Sequence, residues 1–381
     1  MNVFLLAQTL AYPDGGGHFW VYLNWALGLR AAGAEVTWVE SIDPKSSHAD
    51  VLAQMERLRA GLKPYGFDQS IRLLSLRPSD TPPELEALRL TNARALEADL
   101  LVNFRYGLPQ EILNLFRRTA MIDIDPGLLQ HWVSQKQMDF GRHTFYFSTG
   151  ERLGKPGSKV PDLGLRWHHV HPCVALELWP VTGAAPDAPL TTVSHWQAAE
   201  WIVEANGDYY QNDKKSGFLP FLDLPRRVSR PLELALCLGD AEWDQADRRE
   251  LEGKGWRIAN SHVVAGSPAL YQQYIRQSYG EFSACKPSCV RFDMAWVSDR
   301  TLCYLASGKP AVVEYTGASS YLPQNGAGGI WRFRTLDEAA EAVDAIAADY
   351  PNQCRLARAL AEEHFDATKQ AAKLLDVVRS A

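Results

Sequence analysis

The chain of 381 residues exceeds the usual size of one domain, and 46% apolar with 22% charged residues describes a globular protein with a substantial core. A formal net charge of −6 offers no basic field to a nucleic-acid backbone. No apolar stretch reaches the roughly 20 residues that span a bilayer, so neither a nucleic-acid partner nor a transmembrane segment is expected.

The opening "MNVFLLAQ" reads as a strand buried on both faces, as in a parallel sheet. It lacks the basic start of a signal peptide, and the simplest location is the cytoplasm. The glycine loop "PDGGGHFW" follows, and Trp20, Leu23, Ala26, Leu27 and Ala31 then recur at helical spacing. Gly33 closes that helix and "AEVTWVE" supplies the next strand. Helix around "SHADVLAQMERLRAGLKPYG", helix end and strand in "ALEADLLVNFR", helix in "PQEILNLFRR" and strand in "TAMIDID" continue the alternation. This pace predicts a parallel sheet with helices on both faces. Beyond Asp125 the pattern loosens until "DLGLRWHHVHPCVALELWP", which carries the strand ending the first half.

"PVTGAAPDAPL", residues 180–190, is small, Pro-rich and aperiodic, the composition of a linker. A second series follows: strands in "TTVSHW", "LELALCLG", "WRIANSHVV", "GEFSACK" and "KPAVVEYTG". Helices fall in "DQADRRELEGKG", "SPALYQQYIRQS", "SDRTLCYLASG" and two terminal segments. The expected domains are 1–180, 191–360 and a C-terminal helix over 361–381 that packs back on the first. Two such α/β halves facing across a cleft place a ligand at the carboxyl ends of both sets of strands.

The six cysteines are scattered, and Cys285 and Cys289 have no second close pair to complete a zinc site. His168, His169 and His171 alternate in a strand, with no acid at ligand spacing, so no metal is expected. Seven of the twelve tryptophans, Trp20 among them, lie before residue 200, as core or as aromatic walls for a sugar or planar acceptor.

In "GEFSACKPS…WVSDRTLCYLASGKP", Ser298 or Asp299 caps a helix whose first N–H groups favour an anion. Arg300 and Lys286 are placed to add charge-assisted contacts to phosphate. The alternative is that Ser298 and Asp299 only cap and that Arg300 is solvated. His18, with Gly15, Gly16 and Gly17 before it, is either a polar residue at a helix start or a base able to take a proton near pH 7. Asp123 and Asp125, at the end of "AMIDID", are the carboxylates available to orient its ring, although Asp125 also precedes Pro126-Gly127 as a turn residue.

"YLASGKPAVVEYTG" resembles the "EAxAxGxPVV" segment of two-domain glycosyltransferases of the GT-B fold. "GGGH…LNWALGLRAAGAEVTWVE" resembles their "GHxxPxLxLAxxLxxRGHEV" segment. "IDIDPG", "HPCVALELWP", "FLDLPRR", "GEFSACK" and "SDRTLCYLASGKP" are similar to a bacterial glycosyltransferase-like group. The resemblance implies transfer of a sugar from a UDP or dTDP sugar to a small-molecule acceptor, with no cofactor or metal. It also implies a His18 base in an acceptor-side loop with Gly16, Gly17 and Trp20. Lys214 or Lys215 would hold the diphosphate, and Thr316 and Gly317 the donor sugar. The chain departs from the pattern at Cys303, where many members carry the acid that holds the ribose. Either Asp299 or Glu314 replaces it, or the nucleotide is held differently. A 2-epimerase of the same fold and a non-catalytic nucleotide- or sugar-binding protein are the alternatives.

Overall fold

The apolar runs of the first half become seven parallel strands in the computed structural model, which describes residues 1–204, 207–323 and 328–381. They are β1 (Asn2–Leu6), β2 (Glu35–Ser41), β3 (Ile71–Leu74), β4 (Leu100–Asn103), β5 (Thr119–Asp123), β6 (Phe145–Ser148) and β7 (Trp167–His169). Their order is β3-β2-β1-β4-β5-β6-β7, with every neighbouring pair parallel. This sheet belongs to a unit formed by Met1–Gly154, Pro161–Ala175 and Ala367–Ala381.

The helix after β1 begins at Gly16 rather than beyond the glycines, so Gly16 and Gly17 are its first turn. Trp20 is buried in that helix, edge-on to Tyr65 at 5.8 Å, and is a core residue instead of an acceptor-loop residue. With Trp25 and Trp38 it fills the core, because a helix buried nearly all round needs large apolar side chains on every face. The far side of Gly16–Ala31 is covered by the helix Ala367–Arg379. Gly28 permits that approach: a Cβ there would stand 2.3 Å from the carbonyl oxygen of Ala367.

The terminal helices are also interrupted. Tyr350–Leu360 runs into a wide π-turn, Ala361–Phe365, and Asp366 is extended (φ −57°, ψ 122°). The Ala367 N–H thereby leaves the helical ladder and donates to Val174 O at 3.0 Å. The last helix starts at Ala367, six residues later than the 361–381 expectation.

The other unit comprises Lys155–Val160 and Leu176–Asp366. Its strands are β8 (Leu190–His195), a β9 (Trp201–Val203) and β10 (Tyr209–Gln211) antiparallel hairpin, β11 (Leu232–Cys237), β12 (Arg257–Asn260), β13 (Gly280–Ser283), β14 (Ala311–Glu314) and β15 (Ile330–Phe333). The main sheet has the order β12-β11-β8-β13-β14-β15, again parallel throughout. Residues 180–190 lie inside this unit, held by Thr182 N–H donating to Ser307 O (3.2 Å) and Lys309 Nζ donating to Gly183 O (3.0 Å). Small, Pro-rich composition describes an ordered surface segment as well as a linker.

Both main sheets reverse their winding beside the first strand, at β1/β4 and at β8/β13. In open α/β sheets a ligand crevice opens at such points, outside the carboxyl ends of the strands.

Gly28→Ala is expected to destabilise the protein by about 1–3 kcal/mol, since the rigid carbonyl of Ala367 blocks the added methyl. Urea unfolding measures it; an unchanged midpoint would show that the terminal helix moves away freely.

Candidate functional site

β8 and β13 pair at only two positions, Gly280↔Leu190 and Glu281↔Thr191, and then separate. The gap is filled by Arg300, from the first turn of the helix Asp299–Ala306. Its Nε donates to Glu281 Oε1 at 2.7 Å, Nη2 to Ser283 Oγ at 2.5 Å and Nη1 to Val193 O at 3.0 Å. The Glu281 side chain is fully buried and that of Arg300 is 12% exposed. Arg300 is therefore neither a solvated residue nor a ready phosphate contact: it is the buried brace between two strands.

A narrow crevice of about 20 Å³ opens beside it, lined among others by Lys214, Ser283, Cys285, Trp296, Ser298 and Glu314. Lys214 Nζ donates to Ala284 O at 2.7 Å, and burial, then the Arg300 charge, lowers its pKa. Glu314 accepts the Cys285 N–H at 2.8 Å, and burial raises its carboxyl to about 7. Ser298 caps the helix by accepting the Arg300 N–H (3.3 Å), so the positive end of the helix dipole points at this edge. Asp299 is the first helical residue, and its carbonyl accepts the Cys303 thiol at 3.5 Å. Cys303 is buried and does not line the crevice; among the described residues Glu314 is the acid that does.

Trp296 is a lining residue that sequence reading missed. Its indole Nε1–H is buried with no acceptor among the described residues. It follows a strained segment in which Asp293 and Ala295 both have φ near +60°. Thr316 and Gly317 hold that segment: Thr316 Oγ1 donates to Trp296 O (2.5 Å), and Ala295 N–H to Thr316 O (2.8 Å). Gly317 has φ +135°, and a Cβ there would lie 2.6 Å from Ala295 N. These two residues hold the backbone that carries Trp296. Lys215 and Lys286 are engaged elsewhere, in ion pairs with Asp247 (2.7 Å) and Glu200 (2.9 Å). Of the expected cations, Lys214 alone lines the crevice with its charge uncompensated by a direct carboxylate contact among the described residues.

In the first unit, His18 is exposed on the first turn of Gly16–Ala31, edge-on to Tyr22 at 5.1 Å. Its Nε2 lies 2.6 Å from Gln8 O. A carbonyl only accepts, so Nε2 carries the hydrogen and Nδ1 is the basic atom of the neutral ring. The expected carboxylate partner is thus replaced by a main-chain carbonyl. Asp123 is instead fully buried, accepting from Gln130 Nε2 (2.9 Å), Ser148 Oγ (2.9 Å), Tyr106 OH (3.2 Å) and Asp125 N–H (3.1 Å). Burial raises its pKa to about 6. Asp125 is exposed, and its carbonyl accepts the Leu128 and Leu129 N–H groups as the turn enters the next helix. The His169 and His171 rings lie 4.9 Å apart, and no group of three His, Cys, Asp or Glu among the described residues is placed to hold a metal ion. No helix among them is long and apolar enough to cross a membrane.

No family model matches the chain, and no curated protein does. Solved structures do match. The chain is similar to Alr3699/HepE of Anabaena in complex with UDP, with TM-score 0.57 and 12% identity over 100% of both chains. It is also similar to an alpha-glucosyltransferase in complex with UDP and a 13-mer DNA containing an HMU base, with TM-score 0.63 and 12% identity over 100% of this chain and 99% of the other. The same alpha-glucosyltransferase fold with UDP-glucose and DNA matches at TM-score 0.61 and 12% identity, over 99% and 98%. At this identity the likeness is one of fold, and the fold is GT-B, with two Rossmann-like domains.

Two outcomes follow from the crevice. Arg300→Ala is expected to cost about 3–5 kcal/mol in urea unfolding, because it leaves Glu281 charged and buried. A carboxyl whose folded pKa lies above its unfolded value holds its proton more tightly when folded. Glu314 therefore favours folding at low pH, and that advantage is lost as pH rises from 4.5 to about 7. Glu314→Gln should remove this dependence and gain on the parent by up to about 3 kcal/mol between those limits, read from unfolding curves across pH. Parallel curves for the two proteins would contradict the assignment.

Proposed function

We propose that the protein is a glycosyltransferase that moves a sugar from a nucleoside-diphosphate sugar, UDP or dTDP, to a small-molecule acceptor. The observation that carries this reading is the convergence of the Lys214 ammonium and the start of Asp299–Ala306 at the β13 and β14 ends, around a crevice with room for about one water, so that a diphosphate would lie at its mouth. Support comes from the GT-B fold, whose solved examples hold UDP and UDP-glucose. The net charge of −6 argues for a small acceptor over the DNA bound in the alpha-glucosyltransferase structures.

In this reading the acceptor oxygen attacks the anomeric carbon as the bond to the diphosphate breaks. The electron pair leaves with the diphosphate, and a single displacement inverts the centre. Charge grows on the leaving phosphate, so Lys214 and the helix start supply the largest stabilisation. His18 Nδ1 takes the acceptor proton, and the Nε2–H bond to Gln8 O steadies the imidazolium that results. Glu314, protonated below about 7, is able to donate to a ligand oxygen without repelling the diphosphate.

A second reading, nucleotide binding without transfer, is favoured by Cys303 standing buried where related enzymes carry an acid and by the internal use of Arg300.

UDP is expected to raise the melting temperature above GDP or CMP at equal concentration. His18→Ala should leave that shift unchanged and lower UDP-glucose turnover by about 10²- to 10⁴-fold. Unaltered turnover would remove His18 as the base, and UDP binding without turnover of any donor would establish the second reading.

A further inference from the structure

The second unit has another concave site, at the edge of the sheet opposite to the Lys214 crevice. A groove of about 780 Å³ runs between the 182–185 segment and one face of the helix Pro268–Gln277. That helix leads into the start of β13, and Lys309, whose ammonium meets the groove wall at Gly183 O, precedes β14. The groove therefore lies at the amino ends of the strands, away from the edge where nucleotide binding is proposed.

Its walls are fixed. Gln272 Nε2 donates to Leu178 O at 2.6 Å, and Thr182 Oγ1 donates to Arg276 O at 3.0 Å. Tyr271 and Ile275 send their side chains into the core, which leaves Gln272, Gln273, Arg276 and Gln277 on the groove face. Among the described residues no carboxylate lines it. Arg276 lines the groove, and because its Nε is buried, with no acceptor among the described residues, a ligand oxygen would meet the guanidinium at its terminal nitrogens. Behind Gly183 the buried Lys309 adds a second positive charge; burial and then Arg276 hold its pKa down to about 8, so it remains protonated at pH 7. The volume is that of a small-molecule site.

We propose that this groove binds a small phosphorylated sugar, with the phosphate on Arg276 and the sugar hydroxyls on the amides of Gln273 and Gln277. A guanidinium presents planar paired donors that match phosphate oxygens. An amide both donates and accepts, as a hydroxyl does, so a row of glutamines suits a polyol better than lysines or acids would. The site shares no lining residue with the Lys214 crevice and does not depend on the transferase reading.

Isothermal titration of the whole protein with glucose 6-phosphate, inorganic phosphate and glucose tests it. Glucose 6-phosphate should bind at least about tenfold more tightly than either fragment. Arg276→Gln should lose about tenfold or more of that affinity, and the exposed Gln273→Ala should weaken glucose 6-phosphate while leaving phosphate unchanged. Arg276→Lys, which keeps the charge but not the paired donors, serves if the glutamine variant fails to fold and should also weaken binding. Lys214→Ala should leave the affinity intact. The proposal fails if none of the three ligands binds, if phosphate binds as well as glucose 6-phosphate, if the Arg276 variants bind normally, or if Lys214→Ala abolishes binding.

Discussion

The ion pair between Arg300 and Glu281 decides how the second unit is built. A doubly wound sheet splits at its switch point, and here β8 and β13 separate after two paired residues. An unfilled split would leave Val193 O, Ser283 Oγ and the Glu281 carboxylate in a dry gap. One guanidinium reaches all three from a single position, because its donors point in fixed directions, although Glu281 Oε2 stays buried without a hydrogen-bond partner among the described residues. The consequence is chemical as well as structural. A helix-start arginine that looked free for phosphate is taken up inside the fold, and the positive groups left at the crevice are Lys214 and the helix end itself.

The first unit buries carboxylates at its strand ends. Glu40, at the end of β2, is fully buried and accepts from the Thr9 and Leu10 N–H groups, the Thr9 hydroxyl and the Trp38 indole. Asp123 does likewise at the end of β5. Burial raises both pKa values, and in each case the hydrogen bonds pull the other way, which is how a carboxylate is held in a core. The loop between β1 and the Gly16 helix is fixed by Glu40, and the Gln8 carbonyl that selects the His18 tautomer belongs to that loop.

Much of this was legible in the residues. Alternating apolar runs and helical periodicities located most strands, the glycine-led helix and the helix start at Ser298. What escaped was short or depended on partners. β6 is four residues, "FYFS", within an aperiodic stretch, and β15 is as brief. Trp296 gave no local signal, since its place on the crevice wall comes from a strained turn held by Thr316 and Gly317, twenty residues on. One signal for the Arg300 pair was present: Glu281 is a lone acid inside an otherwise apolar strand, "GEFSACK", and a buried acid calls for a partner.

Sequence alone determined the parallel α/β class, the two-part winding and the placement of His18 and Ser298 at helix starts after strands. Those properties follow from hydrophobic period and capping, which act over a few residues. Only the tertiary structure decided which charges line the crevice and which are paired or buried. Lys214 and Lys215 are adjacent in the chain, yet one lines the crevice and the other is paired with Asp247. Asp123 and Asp125 are two residues apart, yet one is buried and the other exposed. A long side chain's partner is set by what packing brings within a few ångströms, and the residues that do so here, Glu281, Asp247 and Gln130 among them, lie beyond any local pattern.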